Sequence, residues 1–274
     1  ARSGGLLLEP LDVDDSVLVE VGGRDAFGDG GGRGFGADAH SVYEEGLHIP
    51  IMRFADRGTV DQTLLRIVRS NVREPDQLVG DLYALASCNQ IGVQRLNDMM
   101  AEFALSDLAE IAGFILDNSR AATLARIAAL PRATATGEMT VDGFDTPITL
   151  CATVTVEDQR IVTDFTGTSG VDPKGINCPL VYAKAYACYA LKVAIAPDIP
   201  NNHASLEPFE VTAPPDTIVN AVHPAPVALR HIVGHFVPDV VFNAFDQIVP
   251  GVVPAEGAGC LCNFQVSLRP APGA

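Results

Sequence analysis

Ile148-Thr149-Leu150-Cys151-Ala152-Thr153-Val154-Thr155-Val156 alternates apolar and polar side chains, and Arg160-Ile161-Val162-Thr163-Asp164-Phe165 follows after Glu157-Asp158-Gln159. A period of two puts Ile148, Leu150, Ala152, Val154 and Val156 on one face of a strand, and β-branched residues suit such a pleated, half-buried surface. The polar triplet between the runs is a turn. The stretch therefore predicts an antiparallel hairpin with one face toward a core. An apolar sheet face needs a cover, so helices are expected to lie against it.

Those helices are legible on both sides of the hairpin. Pro179 to Ala196, rich in Ala, Tyr and Leu, predicts one. Short strands are expected over 207–212 and 217–220, separated by Ala213-Pro214-Pro215-Asp216. A last helix is expected from Leu229 to Ile248, kinked or broken at Pro238. On the N-terminal side, Thr59-Val60-Asp61 can cap a helix carrying Leu64, Leu65, Ile67 and Val68 and ending near Asn71, before Pro75. From Asp81, Leu82, Leu85, Ala86, Val93, Leu96, Met100 and Phe103 continue at helical spacing. Ser106-Asp107 restarts a helix, and another is expected from about Asn118 to Leu130, stopped by Pro131. The pattern changes near residue 137. The expected class is mixed α/β (α+β), a helical block followed by a mixed sheet with packed helices. Residues 1–58 form a glycine-rich irregular segment, 59–136 a mainly helical region and 137–274 a mixed α/β region.

Composition narrows the function classes. Hydrophobic residues make up 47% of the chain, mean hydropathy is +0.21 and Trp is absent, so Ala, Val, Ile and Leu must fill the core. A net charge of −16 repels a phosphate backbone, and no basic run offsets it, which argues against nucleic acid. No apolar stretch approaches a membrane span, so no membrane partner is expected. The six cysteines follow neither zinc-site nor disulfide-scaffold spacing. Buried, reduced thiols and a cytoplasmic location are expected. Cys260 and Cys262 could hold a soft metal, but two ligands do not make a site. The chain begins with Ala rather than Met, and an incomplete chain is expected.

Several residues could carry chemistry. His231 and His235, four apart in an expected helix, can hold a metal through neutral imidazoles, or can simply be packed and hydrogen-bonded. Arg230 beside them can bind a phosphate or carboxylate bidentately. Asp164 and Thr166 leave a strand end, where a carboxylate can serve as base or metal ligand and a hydroxyl can donate to an anion. The alternative is a Ser/Thr or Asx turn that satisfies its own backbone. Asn177 and Asn201 are turn residues or amides that orient a carbonyl substrate. Glu45 and Glu256, beside glycines, can serve as general acid or pair with an Arg. The run from Gly28 to Gly36 could approach phosphate closely, but it lacks the Lys-Ser/Thr of a P-loop, and the alternative is a loop wrapping the fold.

Four ordered segments resemble the hydantoinase B family. Gly32-Arg33-Gly34-Phe35-Gly36 leads into Val42-Tyr43-Glu44-Glu45-Gly46-Leu47-His48-Ile49-Pro50, and Asn71-Val72-Arg73-Glu74-Pro75 into Gly80-Asp81-Leu82. Asp164-Phe165-Thr166-Gly167-Thr168-Ser169 precedes Gly175-Ile176-Asn177-Cys178-Pro179 and Ile199-Pro200-Asn201-Asn202. Arg230-His231-Ile232-Val233-Gly234-His235 runs on to Pro254-Ala255-Glu256-Gly257.

This resemblance implies a hydantoinase B-type subunit in a hetero-oligomer with a hydantoinase A-type subunit. ATP on that partner would activate a small-molecule substrate, and the B part would complete ATP-dependent cyclic-amide hydrolysis of the hydantoin or oxoproline type. An ATP-dependent ketone carboxylase of the acetone/acetophenone type is the alternative, and a third reading is a metal-free structural subunit. The resemblance implies a divalent metal (Zn or Mn), with Asp29, His231 and His235 as candidate ligands. Asp164, Thr166 and Glu256 are the catalytic candidates, and Asn177, Asn201 and Arg230 the substrate-binding ones. The family's Gly-Thr-His-x-x-Asp segment is not found here, and Ala26 stands where a second His is expected. Either those residues are missing from this chain or the subunit has lost catalysis.

Overall fold

A computed structural model describes residues 17–19, 38–47 and 49–255. Asp29, Glu256, Ala26, Cys260, Cys262 and the Gly28–Gly36 loop lie outside them. The expected α+β class holds, as two sheets with helices packed against them.

The first sheet is antiparallel, with β1 (Val17–Val19), β2 (Met52–Asp56) and β3 (Thr59–Val60) in that order. Arg57 and Gly58, with φ of 47° and 74°, close the β2–β3 hairpin. Two left-handed residues give a turn whose twist matches the flanking strands. The sequence reading assigned Thr59 and Val60 to a helix cap; only Asp61 caps. Its Oδ1 accepts from the amides of Thr63 (2.7 Å) and Leu64 (3.1 Å) and starts α1 (Gln62–Asn71). Leu64, Leu65 and Val68 of α1 join Phe54 and Leu82 in a small core.

Helix α2 covers Pro75–Glu102, six residues earlier than the periodicity predicts. Proline at the first helical position needs no amide partner and already has helical φ, so Pro75 begins this helix. The two helices expected between 106 and 130 are one, α3 (Ala109–Ala128). Asn118, read as a start signal, instead donates its side-chain amide to the Phe114 carbonyl one turn back (2.7 Å).

The larger sheet has the order β4 (Thr134–Val141), β5 (Ile148–Val156), β6 (Ile161–Asp164), β7 (Phe209–Thr212). The β5–β6 hairpin is as expected, and β7 adds parallel to β6 after a crossover. Strand β4, not anticipated as a strand, pairs with β5 along its whole length. Residues 217–220 form a turn with a single bridge, Gly170 to Thr217, rather than a strand. The crossover carries α4 (Leu180–Ile195) and the short α5 (His203–Leu206). The helix expected over 229–248 with a kink or break at Pro238 is indeed broken, into α6 (Arg230–Gly234) and α7 (Val237–Asp246), and the break falls just before Pro238, which lies in the first turn of the second.

Ile148, Leu150, Ala152, Val154 and Val156 face α4 and α7 and form the main core with Phe165, Leu191 and Phe245. Each large side chain buried there contributes roughly 1.5–3 kcal/mol of transfer free energy. The opposite sheet face is lined by threonines bonded across strands, Thr134 to Thr155 (3.1 Å) and Thr136 to Thr153 (2.9 Å). All described cysteines are free; Cys178 and Cys188 are buried as expected, whereas Cys88 on α2 is exposed. No described helix is long and apolar enough to cross a membrane.

Candidate functional site

Three of the sequence segments meet at one place. Glu45 is 5% exposed, and its Oε1 accepts from the backbone amides of Val227 and, at 2.7 Å, Ala228. The Leu229 amide donates to the Gly175 carbonyl (2.7 Å). Asn177 is fully buried, accepts from the Asp172 amide (2.7 Å) and points its own amide at the carbonyls of Asp172, Lys174 and Pro226 (2.9 Å each). Its polar atoms are thus spent on loop backbone. Cys178 follows and donates its thiol to the Arg230 carbonyl (2.9 Å). Segments 42–46, 175–179 and 227–235 are in this way laced into one frame around α6.

On that frame sit a cation, two imidazoles and two phenols. The Arg230 guanidinium lies 5.7 Å from the Tyr182 ring centre, a cation–π distance. Tyr182 stacks on Tyr186 at 4.9 Å, and their hydroxyls are 3.3 Å apart. Tyr186 is 6.0 Å from His235, and His235 is 5.9 Å from His231, ring centre to ring centre. Gly234 passes so close to Tyr182 that a Cβ there would penetrate the edge of its ring. Burial, then the Tyr186 hydroxyl, raises the Tyr182 pKa above the ordinary phenol range. Burial pushes the Cys178 thiol up to about 12, partly opposed by Arg230. Both groups are therefore neutral donors at physiological pH. Apart from the Val227 carbonyl (3.4 Å), Arg230 has no bonded side-chain partner among the described residues, which leaves its fork for an anion.

His231 and His235 are two imidazoles, whereas a zinc site takes four ligands, three of them protein groups in catalytic sites. Among the described residues no third His, Cys, Asp or Glu joins them. The described residues alone do not make a metal site.

The remaining predicted residues lie elsewhere. Asp164 accepts from the Thr212 hydroxyl (3.0 Å) and shares a register position with Thr153, on the threonine face of the sheet and away from α4 and α6. Thr166 is exposed in the turn after β6, beside Gly167 with φ of 98°. In that turn Thr168 bonds both the amide and carbonyl of Cys151, and Ser169 accepts from the Thr149 amide, so hydroxyls are used to pin the loop to β5. Asn201 borders a separate cleft beside α4. The sequence reading missed Tyr182 and Tyr186, although aromatics four apart on a helix were there to be paired with the histidines.

Likeness to known proteins extends over the same segments. The Hydantoinase B/oxoprolinase family model matches residues 6–273. A putative D-/L-hydantoinase of Pseudomonas sp. (strain NS671), in its B-type component, is 30% identical over 84% of this chain and 40% of its own length. Among solved structures, an ATP-dependent caprolactamase from Pseudomonas jessenii superposes with TM-score 0.75 at 21% identity, over 82% of this chain and 39% of that one. An acetone carboxylase in its nucleotide-free form gives TM-score 0.64 at 15% identity, over 76% and 30%. The chain spans less than half the length of the curated relatives it matches first.

Proposed function

The chain belongs to the Hydantoinase B/oxoprolinase family, and from that premise we propose that it contributes the Arg230–His231–His235 site to an ATP-dependent enzyme that opens a cyclic amide by hydrolysis. The observation that carries this reading is an arginine without a side-chain ion partner among the described residues, set over Tyr182, whose stacked neighbour Tyr186 leads on to His235 and His231, on a frame built from segments that the family model covers.

An amide oxygen is a poor leaving group until it is phosphorylated, and we propose that a hydantoinase A-type partner uses ATP to do this. Water then adds to the activated carbonyl carbon, the ring C–N bond breaks with a proton delivered to nitrogen, and a second water hydrolyses the resulting acyl phosphate to carboxylate and phosphate. Arg230 would hold the phosphate or the emerging carboxylate bidentately, and an imidazole would carry the proton. A divalent metal, Zn or Mn, is proposed for the assembled enzyme, with ligands beyond the described residues. Elemental analysis of the purified complex tests it.

The decisive experiment mixes this protein with its ATP-binding partner and follows phosphate release and ring opening of hydantoin, 5-oxoproline and caprolactam. Coupled release with at least one cyclic amide is expected. Arg230→Gln is expected to lower kcat/KM by about 100-fold, the scale of losing a charge-assisted pair, with little rescue by Arg230→Lys. Turnover by Arg230→Gln near the unmodified level would overturn the assignment. The likeness to the acetone carboxylase structure favours one second reading, ketone carboxylation. ATP use that requires acetone and bicarbonate, with no response to cyclic amides, would select it.

A further inference from the structure

A separate cleft lies on the opposite flank of α4. This cleft of about 510 Å³ opens between this helix and the 197–207 segment, within the size range of small-molecule pockets. Lys184, Cys188 and Lys192, one helical turn apart, line it from α4, with Val181, Tyr189 and Val193 beside them. Leu206 and Pro197 close the far wall, and Asn201 and His203 stand at its border.

The charge of the cleft runs against that of the chain. Only three lysines occur in the sequence, and two line this cleft in a protein of net charge −16. Glu207 also lines the cleft, and it and the nearby Asp198 are each paired with an arginine of α3. Glu207 is held by Arg120 (2.6 Å), and Asp198 by Arg126 (3.0 Å). Lys192, 4% exposed, donates to the carbonyls of Ala196 (2.5 Å) and Ile199 and so fixes the wall that carries Pro197. Lys184 has no ion-pair partner among the described residues. The result is an apolar trough with an uncompensated ammonium at its side.

We propose that this cleft binds a small organic carboxylate with an aliphatic or aromatic body, its carboxylate on Lys184 and its apolar part against Val181, Tyr189 and Val193. Apolar walls with a few placed polar groups are what such ligands require, and a neutral ligand of the same shape leaves the ammonium unused. This site is separate from the Arg230 site and does not rest on the activity proposed for it.

The chain has no tryptophan, so Val181→Trp, at a side chain 75% exposed on the cleft's lip, installs a single reporter there. Titration with benzoate should shift its fluorescence saturably. Benzamide, neutral and nearly isosteric, should bind about tenfold or more weakly, as expected for loss of a charge-assisted contact. Lys184→Gln should remove that preference, while Lys174→Gln, at the lysine paired with Asp38, should keep it. Calorimetry of the unmodified protein with benzoate should return the same affinity. Equal binding of benzoate and benzamide, a Lys184→Gln protein that still prefers benzoate, or no calorimetric binding would each overturn the proposal.

Discussion

Thr163 turns its hydroxyl toward the covered face of the sheet, where it is the one buried side-chain polar atom among the described residues without a hydrogen-bond partner. A buried donor left unmade costs more than an apolar group of the same shape. Thr163→Val is therefore expected to raise stability by about 1 kcal/mol, read as a higher urea midpoint at constant slope. An unchanged or lower midpoint would mean the hydroxyl is satisfied after all. Cys178 gives the opposite kind of case, a buried thiol that is well bonded. Its pKa rises from 9.0 to about 12 because burial disfavours the thiolate. The folded protein keeps a proton that the unfolded chain releases over that interval. Stability present below pH 9 is then lost as pH rises toward 12, at a slope of up to roughly 1.4 kcal/mol per pH unit. Urea midpoints taken at about pH 8 and again near pH 10.5 should fall less in Cys178→Ala than in the unmodified protein. Equal declines would locate the titration elsewhere.

At the level of elements, the close approach of β4 and α7 depends on one glycine. A Cβ at Gly137 would stand 2.6 Å from both the Ala244 amide nitrogen and the Val240 carbonyl oxygen, backbone atoms with no freedom to move aside. Gly137→Ala is expected to cost at least about 2 kcal/mol by prising the strand from the helix, measurable as a drop in thermal midpoint. A neutral substitution would mean that α7 can shift without loss. The same glycine explains why β4 was not legible in the sequence. It interrupts the apolar alternation of 134–141, and the strand is recognised only through its partner β5, whose own alternation is unbroken. The β5–β6 hairpin and α4 could be read because each element's periodicity is complete within itself. The start of α2 could not, since Pro75, which also suits the end of a preceding helix, occupies the first turn of the following one; the break expected at Pro238 falls just before it, between α6 and α7. The candidate site was half legible. Arg230, His231 and His235 adjoin in sequence, but that Asp164 points away from them depends on strand register, which no local pattern reveals.

For the whole molecule, the question is what holds the segment before β2 onto the core that follows β4. The Val42 amide donates to the Pro224 carbonyl (3.0 Å), Lys174 pairs with Asp38 (3.2 Å), and Glu45 reaches the amides of Val227 and Ala228. The lysine pair is exposed enough to contribute little. Glu45 is different, because a buried carboxylate receives two amides immediately before the helix that carries Arg230 and His231. Charge-assisted bonds of this kind contribute more than neutral ones, and removing the acceptor leaves buried donors without it. Glu45→Ala is expected to destabilise the fold by about 2–4 kcal/mol. It should also accelerate hydrogen exchange at the Val227 and Ala228 amides more than at the β5 amides. If exchange rises uniformly, Glu45 supports global stability alone. If the rise is concentrated at 227–230, this single side chain couples the N-terminal segment to the position of Arg230, and turnover should fall with it even where the protein remains folded.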